Sequence, residues 1–151
     1  MTELRAAVHA QSPKVLIAED EWAIADMIES TLVQGGYEVC GIARTVPDAV
    51  KLAQLHAPAL GVFDMRLADG GRGTDIAQQL RHRSLGVLYA TGNPMEVISA
   101  AAVTGVGYIA KPYRTQDLLR ALRIVSDIFI TGTTLLTYPR GFRLLRAPFA
   151  A

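Results

Sequence analysis

The sequence predicts an α/β fold built on a doubly wound, five-stranded parallel sheet with the architecture (βα)5. Short apolar runs recur five times along the chain, and a helical pattern follows each of them. Four of the runs are nearly continuous rather than alternating, which favours strands buried on both faces of a parallel sheet. At 151 residues the chain has the length of one domain, in which roughly 68–70% of the unfolded surface can be buried.

Each strand is predicted from one of these apolar runs. Right-handed crossovers place helices on both faces of a parallel sheet, and five strand–helix units therefore predict the flavodoxin-like strand order 2-1-3-4-5. The predicted strands are residues 15–18, 37–43, 59–63, 86–90 and 106–110.

The helices are predicted from apolar side chains that recur at helical spacing. The first helix ends at Gly35 and Gly36, and the second begins near Pro47, a residue favoured in the first helical turn. The third starts at Thr74, the fourth near Pro94 and the fifth near residue 115. The side chains predicted to face the sheet are Ile24, Met27, Ile28, Thr31 and Leu32, then Val46, Ala49, Val50 and Ala53, then Ile76, Ala77 and Leu80, then Val97, Ile98, Ala101 and Ala102, and finally Leu118, Ala121, Leu122, Val125 and Phe129.

The composition excludes several classes of partner. Fifteen Lys and Arg against fourteen Asp and Glu give a net charge of +1, so no overall field attracts nucleic acid or an anionic membrane. No window approaches the ~20 apolar residues of a membrane span, and no secretion signal opens the chain, which predicts a cytoplasmic protein. The single cysteine, Cys40, is predicted to be a small core residue, with a reactive thiol as the alternative.

Four of the predicted strands end in polar or charged side chains. The first is followed by Glu19, Asp20 and Glu21, and the third by Asp64. The fourth and fifth are followed by Thr91 and by the pair of residues 111 and 112, Lys-Pro. Sites in such folds lie beyond the carboxyl ends of the strands, and these four strands are neighbours in the predicted order. We therefore expect the side chains to meet in one cleft.

These residue types indicate phosphoryl transfer. Three carboxylates at close range repel one another unless a cation intervenes, and an all-oxygen cluster selects a hard ion such as Mg²⁺. The hydroxyl of Thr91 and the ammonium of Lys111 can both contact oxygens of a phosphoryl group. The pattern thus predicts a site in which Asp64 is the nucleophile.

The chain resembles the receiver domain of bacterial two-component response regulators. The matching pieces, in order and each at a strand end, are VLIAEDE, FDMRL, YATG and YIAKPY, and the resemblance covers roughly residues 13–129. It implies that Asp64 accepts the phosphoryl group, that Asp20 binds Mg²⁺ directly and that Glu19 binds it largely through water. The backbone carbonyl of Arg66 would complete the ligand set.

The resemblance also implies a conformational switch. Thr91 would follow the phosphoryl group, Lys111 would contact it, and Tyr108 would turn inward into the space that Thr91 leaves. The peptide bond between Lys111 and Pro112 is typically cis in this family. Such a domain catalyses its own phosphorylation and dephosphorylation and is not a conventional enzyme.

The implied partners are proteins. A sensor histidine kinase or a His-phosphotransfer protein would supply the phosphoryl group, and a downstream protein target would receive the signal. The face formed by the fourth helix, fifth strand and fifth helix is implicated in dimerisation. Residues 1–12 are expected to form an N-terminal tail, residues 13–130 the receiver domain and residues 131–151 a C-terminal tail. The tail is either a loose terminus or a docking segment, and no DNA-binding output domain is expected after the receiver.

Two departures from the family pattern keep an alternative open. Ala68 stands where many receivers have proline, and the loop of residues 64–73 is one residue longer than the common spacing. A degenerate receiver that binds a partner without phosphorylation is therefore the second hypothesis. A phosphatase with an aspartate nucleophile is a third, but haloacid-dehalogenase-type enzymes place Asp-x-Asp after the first strand, whereas the candidate here follows the third.

Overall fold

The computed structural model describes residues 12–101 and 105–145, without the side chains of residues 100 and 101. The strands are β1 (Lys14–Ala18), β2 (Glu38–Ala43), β3 (Leu60–Asp64), β4 (Gly86–Thr91), β5 (Gly107–Ala110) and β6 (Phe142–Leu144). The helices are α1 (Trp22–Gln34), α2 (Val46–His56), α3 (Gly73–Gln79), α4 (Pro94–Ala101) and α5 (Thr115–Thr131).

The six strands form one sheet in the order β2-β1-β3-β4-β5-β6. The first five are parallel to one another, and β6 runs antiparallel to β5. The predicted doubly wound sheet with the order 2-1-3-4-5 is therefore confirmed. The sequence analysis did not predict β6, which lies in the segment that it assigned to the C-terminal tail.

Apolar layers cover both faces of the sheet. On one face α2, α3 and α4 pack through side chains that include Ala49, Ile76 and Val97. On the other face α1 and α5 pack through side chains that include Ile28 and Leu122. Every residue of β3 and β4 is buried, which explains why the two strands are apolar up to their last residues, Asp64 and Thr91. Helices cover the faces of the sheet, and the polar residues that follow the strands lie at its carboxyl edge.

Two side chains predicted to face the sheet are exposed instead. Met27 is 40% exposed and Ile98 is 46% exposed. The buried residues of α1 are Ala25, Ile28 and Leu32. Met27 lies beside this stripe, and Ile98 lies about 100° around the helix from buried Val97, so neither reaches the core. Of the other predicted positions, Ala102 and the side chain of Ala101 lie outside the described residues.

Cys40 lies in β2 and is partly buried. Burial raises the pKa of its thiol, which lowers the thiolate fraction and with it the reactivity. This favours the interpretation of Cys40 as a small packing residue.

Within residues 12–101 and 105–145, none of the helices combines the length and the apolar composition that crossing a membrane requires.

Candidate functional site

The predicted site residues lie at the carboxyl edge of the sheet, where β1, β3, β4 and β5 end. The register of the strands aligns these ends, with Asp64 beside Ala90 and Thr91 beside Ala110. A cavity of about 460 Å³ opens there, and Asp20, Asp64 and Thr91 are among its lining residues. The sheet thus brings together side chains that are far apart in the sequence.

Three carboxylates meet at this edge. One oxygen each of Glu19, Asp20 and Asp64 lies within 4.8 Å of the other two. Glu19 is only 2% exposed and Asp64 is 9% exposed, whereas Asp20 is partly exposed. Two buried acids and one accessible acid therefore share a small volume.

Lys111 supplies the neighbouring positive charge. Its Nζ lies 3.0 Å from Oδ2 of Asp64 and 4.0 Å from Oε2 of Glu19. Its backbone N–H donates to the carbonyl oxygen of Thr91 at 2.8 Å, which holds the residue against the end of β4. The peptide bond from Lys111 to Pro112 is cis. Asp64 is therefore paired with a cation in a largely buried setting.

The environment of Glu19 disfavours its charged form. Burial raises the pKa of this carboxyl to about 8, and a hydrogen bond with Asp64 and the charge of Asp64 act in the same direction. The backbone N–H of Glu21 and the charge of Lys111 oppose this shift. Burial raises the pKa of the neighbouring Tyr113 to about 12, and the negative charges of Glu19 and Asp64 contribute to the same shift. The sequence analysis did not single out Tyr113.

We expect the metal-free protein to lose stability as the pH rises from the ordinary carboxyl value of 4.5 to about 8. In this window the folded state keeps a proton on Glu19 that the unfolded state has released, so the free energy of unfolding falls with rising pH. Urea unfolding in EDTA across this window measures the effect. Glu19→Gln should remove most of the slope, whereas Glu38→Gln, on an exposed position of β2, should leave it unchanged. Equal slopes in the wild type and Glu19→Gln would contradict this account.

Thr91 is buried, and its hydroxyl is engaged in a local turn. Its Oγ1 accepts the N–H of Asn93 at 3.0 Å and donates to the carbonyl oxygen of Asn93 at 3.1 Å. A hydroxyl held in this way has to leave the Asn93 carbonyl before it can donate to another oxygen. Its predicted contact with a phosphoryl group thus requires a local rearrangement.

Arg66 links the loop after β3 to α4. Its backbone N–H lies 3.4 Å from Oδ1 of Asp64, and its Nη2 lies 2.8 Å from Oε1 of Glu96. The hydrogen bond to Glu96 and the charge of that carboxylate raise the pKa of Arg66. The sequence analysis missed Glu96, because α4 reaches this loop only in three dimensions. The predicted use of the Arg66 carbonyl as a metal ligand stays a prediction.

Backbone hydrogen bonds hold the loop of residues 64–73 in place. The N–H of Ala68 donates to the carbonyl oxygen of Arg44 at 3.0 Å, and the N–H of Leu67 donates to that of Gly71 at 3.0 Å. At Gly73 a side chain would collide with the carbonyl oxygen of Asp64, so only glycine lets α3 begin this close to the acid. The loop that departs from the family pattern is therefore anchored on both sides of its tip.

Tyr108 already lies inward. It is buried in the apolar cluster that contains Tyr89 and Val97. In this conformation the ring is already buried, so it has no exposed position from which to turn inward. A role for Tyr108 in switching stays a prediction.

The carboxylate cluster fits a hard divalent cation. Its donors are all oxygen, and Asp20 is accessible enough for a partly hydrated ion to reach it. Lys111 donates to Oδ2 of Asp64, and the backbone N–H of Arg66 makes a long contact of 3.4 Å with Oδ1. The donor set and its spacing therefore suit Mg²⁺ better than a metal that prefers nitrogen or sulfur.

Comparison with protein families gives a match that covers most of the chain. Residues 15–123 match the family model described as the response regulator receiver domain. The matched range contains the three carboxylates, Thr91 and Lys111.

Curated relatives of known name are moderately similar. The transcriptional regulatory protein PdtaR of Mycobacterium tuberculosis is 30% identical over 125 residues, which span 81% of this chain and 60% of the relative. The phyllosphere-induced regulator PhyR of Methylorubrum extorquens is 36% identical over 108 residues, which span 70% of this chain and 40% of the relative. The chain thus spans about half the length of the curated relatives that it matches.

Solved structures share the fold. The signal receiver domain of a modulated diguanylate cyclase from Desulfovibrio desulfuricans is 27% identical with a TM-score of 0.70, over 79% of this chain and 97% of that one. The anti-anti-sigma factor PhyR of Bartonella quintana is 28% identical with a TM-score of 0.63, over 78% of this chain and 49% of that one.

Proposed function

The chain belongs to the response regulator receiver family, and from this we propose that it is a signalling switch phosphorylated on Asp64. The observation that carries the proposal is the 3.0 Å contact between Lys111 Nζ and Asp64 Oδ2 inside the cluster of three carboxylates. A structural ion pair needs no second and third acid beside it, whereas phosphoryl transfer uses all of these groups.

The proposed step moves a phosphoryl group from a phosphohistidine to Asp64. A carboxylate oxygen of Asp64 attacks phosphorus, the new P–O bond forms as the P–N bond breaks, and the leaving imidazole nitrogen takes up a proton. Lys111 fixes the orientation of the carboxylate before attack and stays close enough to contact the transferred oxygens. The donor would be a sensor histidine kinase or a His-phosphotransfer protein.

The carboxylates of Glu19, Asp20 and Asp64 would hold Mg²⁺, with the Arg66 carbonyl as a further ligand. When bound, Mg²⁺ supplies charge neutralisation at the phosphoryl oxygens. Asp20 is the accessible member of the set and would take the ion up, while buried Glu19 would release its proton on binding.

Phosphorylation adds negative charge beside two side chains that can form new hydrogen bonds with the phosphoryl group. Thr91 can exchange its bond to Asn93 for a phosphoryl oxygen, and Lys111 can gain a second contact. A shift from 1:99 to 99:1 requires ~5.5 kcal/mol of differential stabilisation, and each charge-assisted hydrogen bond is worth ~1.5–3 kcal/mol. Reaching that value therefore takes two such bonds at the upper strength and about four at the lower strength.

We propose that the output passes through a protein partner. The net charge of +1 offers no general attraction for nucleic acid. Among the structural neighbours, PhyR of Bartonella quintana is named an anti-anti-sigma factor, and this name favours an output through protein contacts here.

Incubation with acetyl phosphate and Mg²⁺, followed by intact-mass measurement, tests the proposal. We expect the mass of one phosphoryl group to be gained with Mg²⁺ and not with EDTA. Asp20→Asn should require roughly tenfold more Mg²⁺, since one anionic ligand is lost. Asp26→Asn, on the exposed face of α1, should behave like the wild type. A folded protein that gains no mass at any Mg²⁺ concentration would instead be a phosphorylation-independent binding module.

A further inference from the structure

The chain after α5 folds back as a strap, defined here as residues 132–145. Gly132, with φ of 86°, ends α5. The hydroxyl of Thr134 donates to Oδ2 of Asp127 at 2.7 Å. Arg120 donates from Nε to the carbonyl oxygen of Thr137 at 2.7 Å and from Nη2 to its hydroxyl oxygen at 2.8 Å. The strap is thus fixed to α5 at two places about two helical turns apart.

The second half of the strap completes the edge of the sheet. As β6 it pairs antiparallel with β5, with Phe142 opposite Ile109. The N–H of Ala110 donates to the carbonyl oxygen of Gly141 at 3.0 Å, and the N–H of Leu145 donates to that of Val106 at 2.9 Å. These bonds satisfy backbone groups that β5 would otherwise present as an unpaired edge.

Gly107 forms a notch that receives the strap. A Cβ at this position would lie 2.8 Å from both the carbonyl oxygen of Arg143 and the ring of Phe142. The Phe142 ring is 4% exposed and meets Tyr138 edge-on at 5.1 Å between ring centroids. Glycine inside a strand is destabilising relative to alanine, so its presence in β5 is explained by this close contact.

Without the strap, β5 would be an unguarded edge. Its sequence, GYIA, contains no charge and no proline, the two features by which edge strands commonly block pairing with another chain. Two copies of such a strand can pair antiparallel about a twofold axis, because each copy then offers the same row of donors and acceptors to the other. The strap therefore blocks pairing of β5 with another chain, which the residues of β5 themselves do not prevent.

We propose that the strap competes within the molecule against a second copy of this chain for the edge of β5. When the strap is held, the edge is filled and the protein is a monomer. When the strap is released, β5 of a second copy pairs with it and extends the sheet across the dimer. This competition goes beyond the proposed function and does not require phosphorylation.

A route from the candidate site to the strap exists along β5. Tyr108 lies opposite Arg143 in the register, and Leu145 packs against the apolar cluster that contains Tyr108. The same strand leads directly into Lys111, which contacts Asp64. We therefore expect phosphorylation to loosen the strap, a step that rests on the proposed function.

Two strap variants test the competition by light scattering across a concentration series. Phe142→Ala empties the notch, and Arg120→Gln removes the contacts to Thr137 while leaving the core intact. We expect both to dimerise with a dissociation constant at least roughly tenfold lower than that of the wild type. Leu135→Ala, at a fully exposed strap residue (100%), is the matched control and should not differ from the wild type. If both strap variants stay folded and monomeric, or if Leu135→Ala dimerises equally, the proposal is wrong.

Amide hydrogen exchange identifies the contact in the dimer. In the strap variants at low concentration, the amides of Ala110 and Leu145, which donate across the junction of β5 and the strap, should both exchange faster than in the wild type. At concentrations that favour the dimer, the amide of Ala110 should become protected again while that of Leu145 stays fast. An Ala110 amide that stays fast in the dimer would place the interface elsewhere and overturn the proposal.

The same measurement with acetyl phosphate and Mg²⁺ separates the strap from the site. We expect faster exchange of residues 142–145 in the wild type and no change in Asp64→Asn. A mass gain with unchanged strap exchange would refute the coupling and leave the phosphorylation proposal intact. If no mass is gained, the proposed function fails, and the Phe142 and Arg120 variants still decide the competition.

Discussion

The Asp64→Asn variant is expected to gain no phosphoryl group from acetyl phosphate under conditions in which the wild type is phosphorylated. Asparagine has nearly the same shape but offers an amide in place of a nucleophilic carboxylate oxygen. Its carbonyl oxygen can still accept the hydrogen bond from Lys111 Nζ, so the fold should persist. Intact-mass measurement after incubation with Mg²⁺ gives the result directly.

The matched control is Asp69→Asn in the same loop. Asp69 is exposed, and its Oδ1 accepts the N–H of Gly71 at 3.0 Å, a bond that an asparagine oxygen can keep. This variant should be phosphorylated at the wild-type rate. A mass gain in Asp64→Asn equal to that of the wild type would mean that another residue accepts the group, and the mechanism proposed above would be wrong.

Lys111→Met should change two properties in opposite directions. Phosphorylation should slow by roughly 10²–10³-fold, the effect of removing one group that stabilises transition-state charge. Mg²⁺ should bind roughly tenfold more tightly, since the ammonium that competes for Asp64 and Glu19 is gone. Rates come from mass measurement over time and affinity from a Mg²⁺ titration of the fluorescence of exposed Trp22.

The opposite signs make this prediction specific, because a variant that merely unfolds would lose both activity and metal binding. Lys51→Met, at an exposed position on α2, removes the same charge far from the acids and should alter neither property. Slower phosphorylation together with weaker Mg²⁺ binding in a folded Lys111→Met protein would show that Lys111 does not compete with the metal.

Strand ends made much of the candidate site predictable. Glu19, Asp64, Thr91 and Lys111 each follow an apolar run, and the parallel order of the sheet dictates that such positions share one edge. Periodicity likewise located the five helices. The prediction was wrong for Met27 and Ile98, which are exposed. Periodicity identifies a broad apolar stripe on a helix but does not show which edge of that stripe contacts the sheet.

The strap escaped prediction for a different reason. Its strand has only three residues, and a proline and a glycine at positions 139 and 141 precede it, so the segment has no periodicity. Its stability comes from non-local pairing with β5 and from the notch at Gly107. Neither partner can be identified from the segment itself.

The sequence by itself determined the parallel α/β architecture and the acids and the lysine that gather at its carboxyl edge, since strand hydrophobicity and topology are enough to align the ends of strands. Only the tertiary structure decided the 3.0 Å pairing of Lys111 with Asp64, the burial that raises the pKa of Glu19, the link from Arg66 to Glu96 and the strap on β5. These depend on distances and solvent exclusion between segments far apart in the chain, and such quantities exist only once the chain has folded.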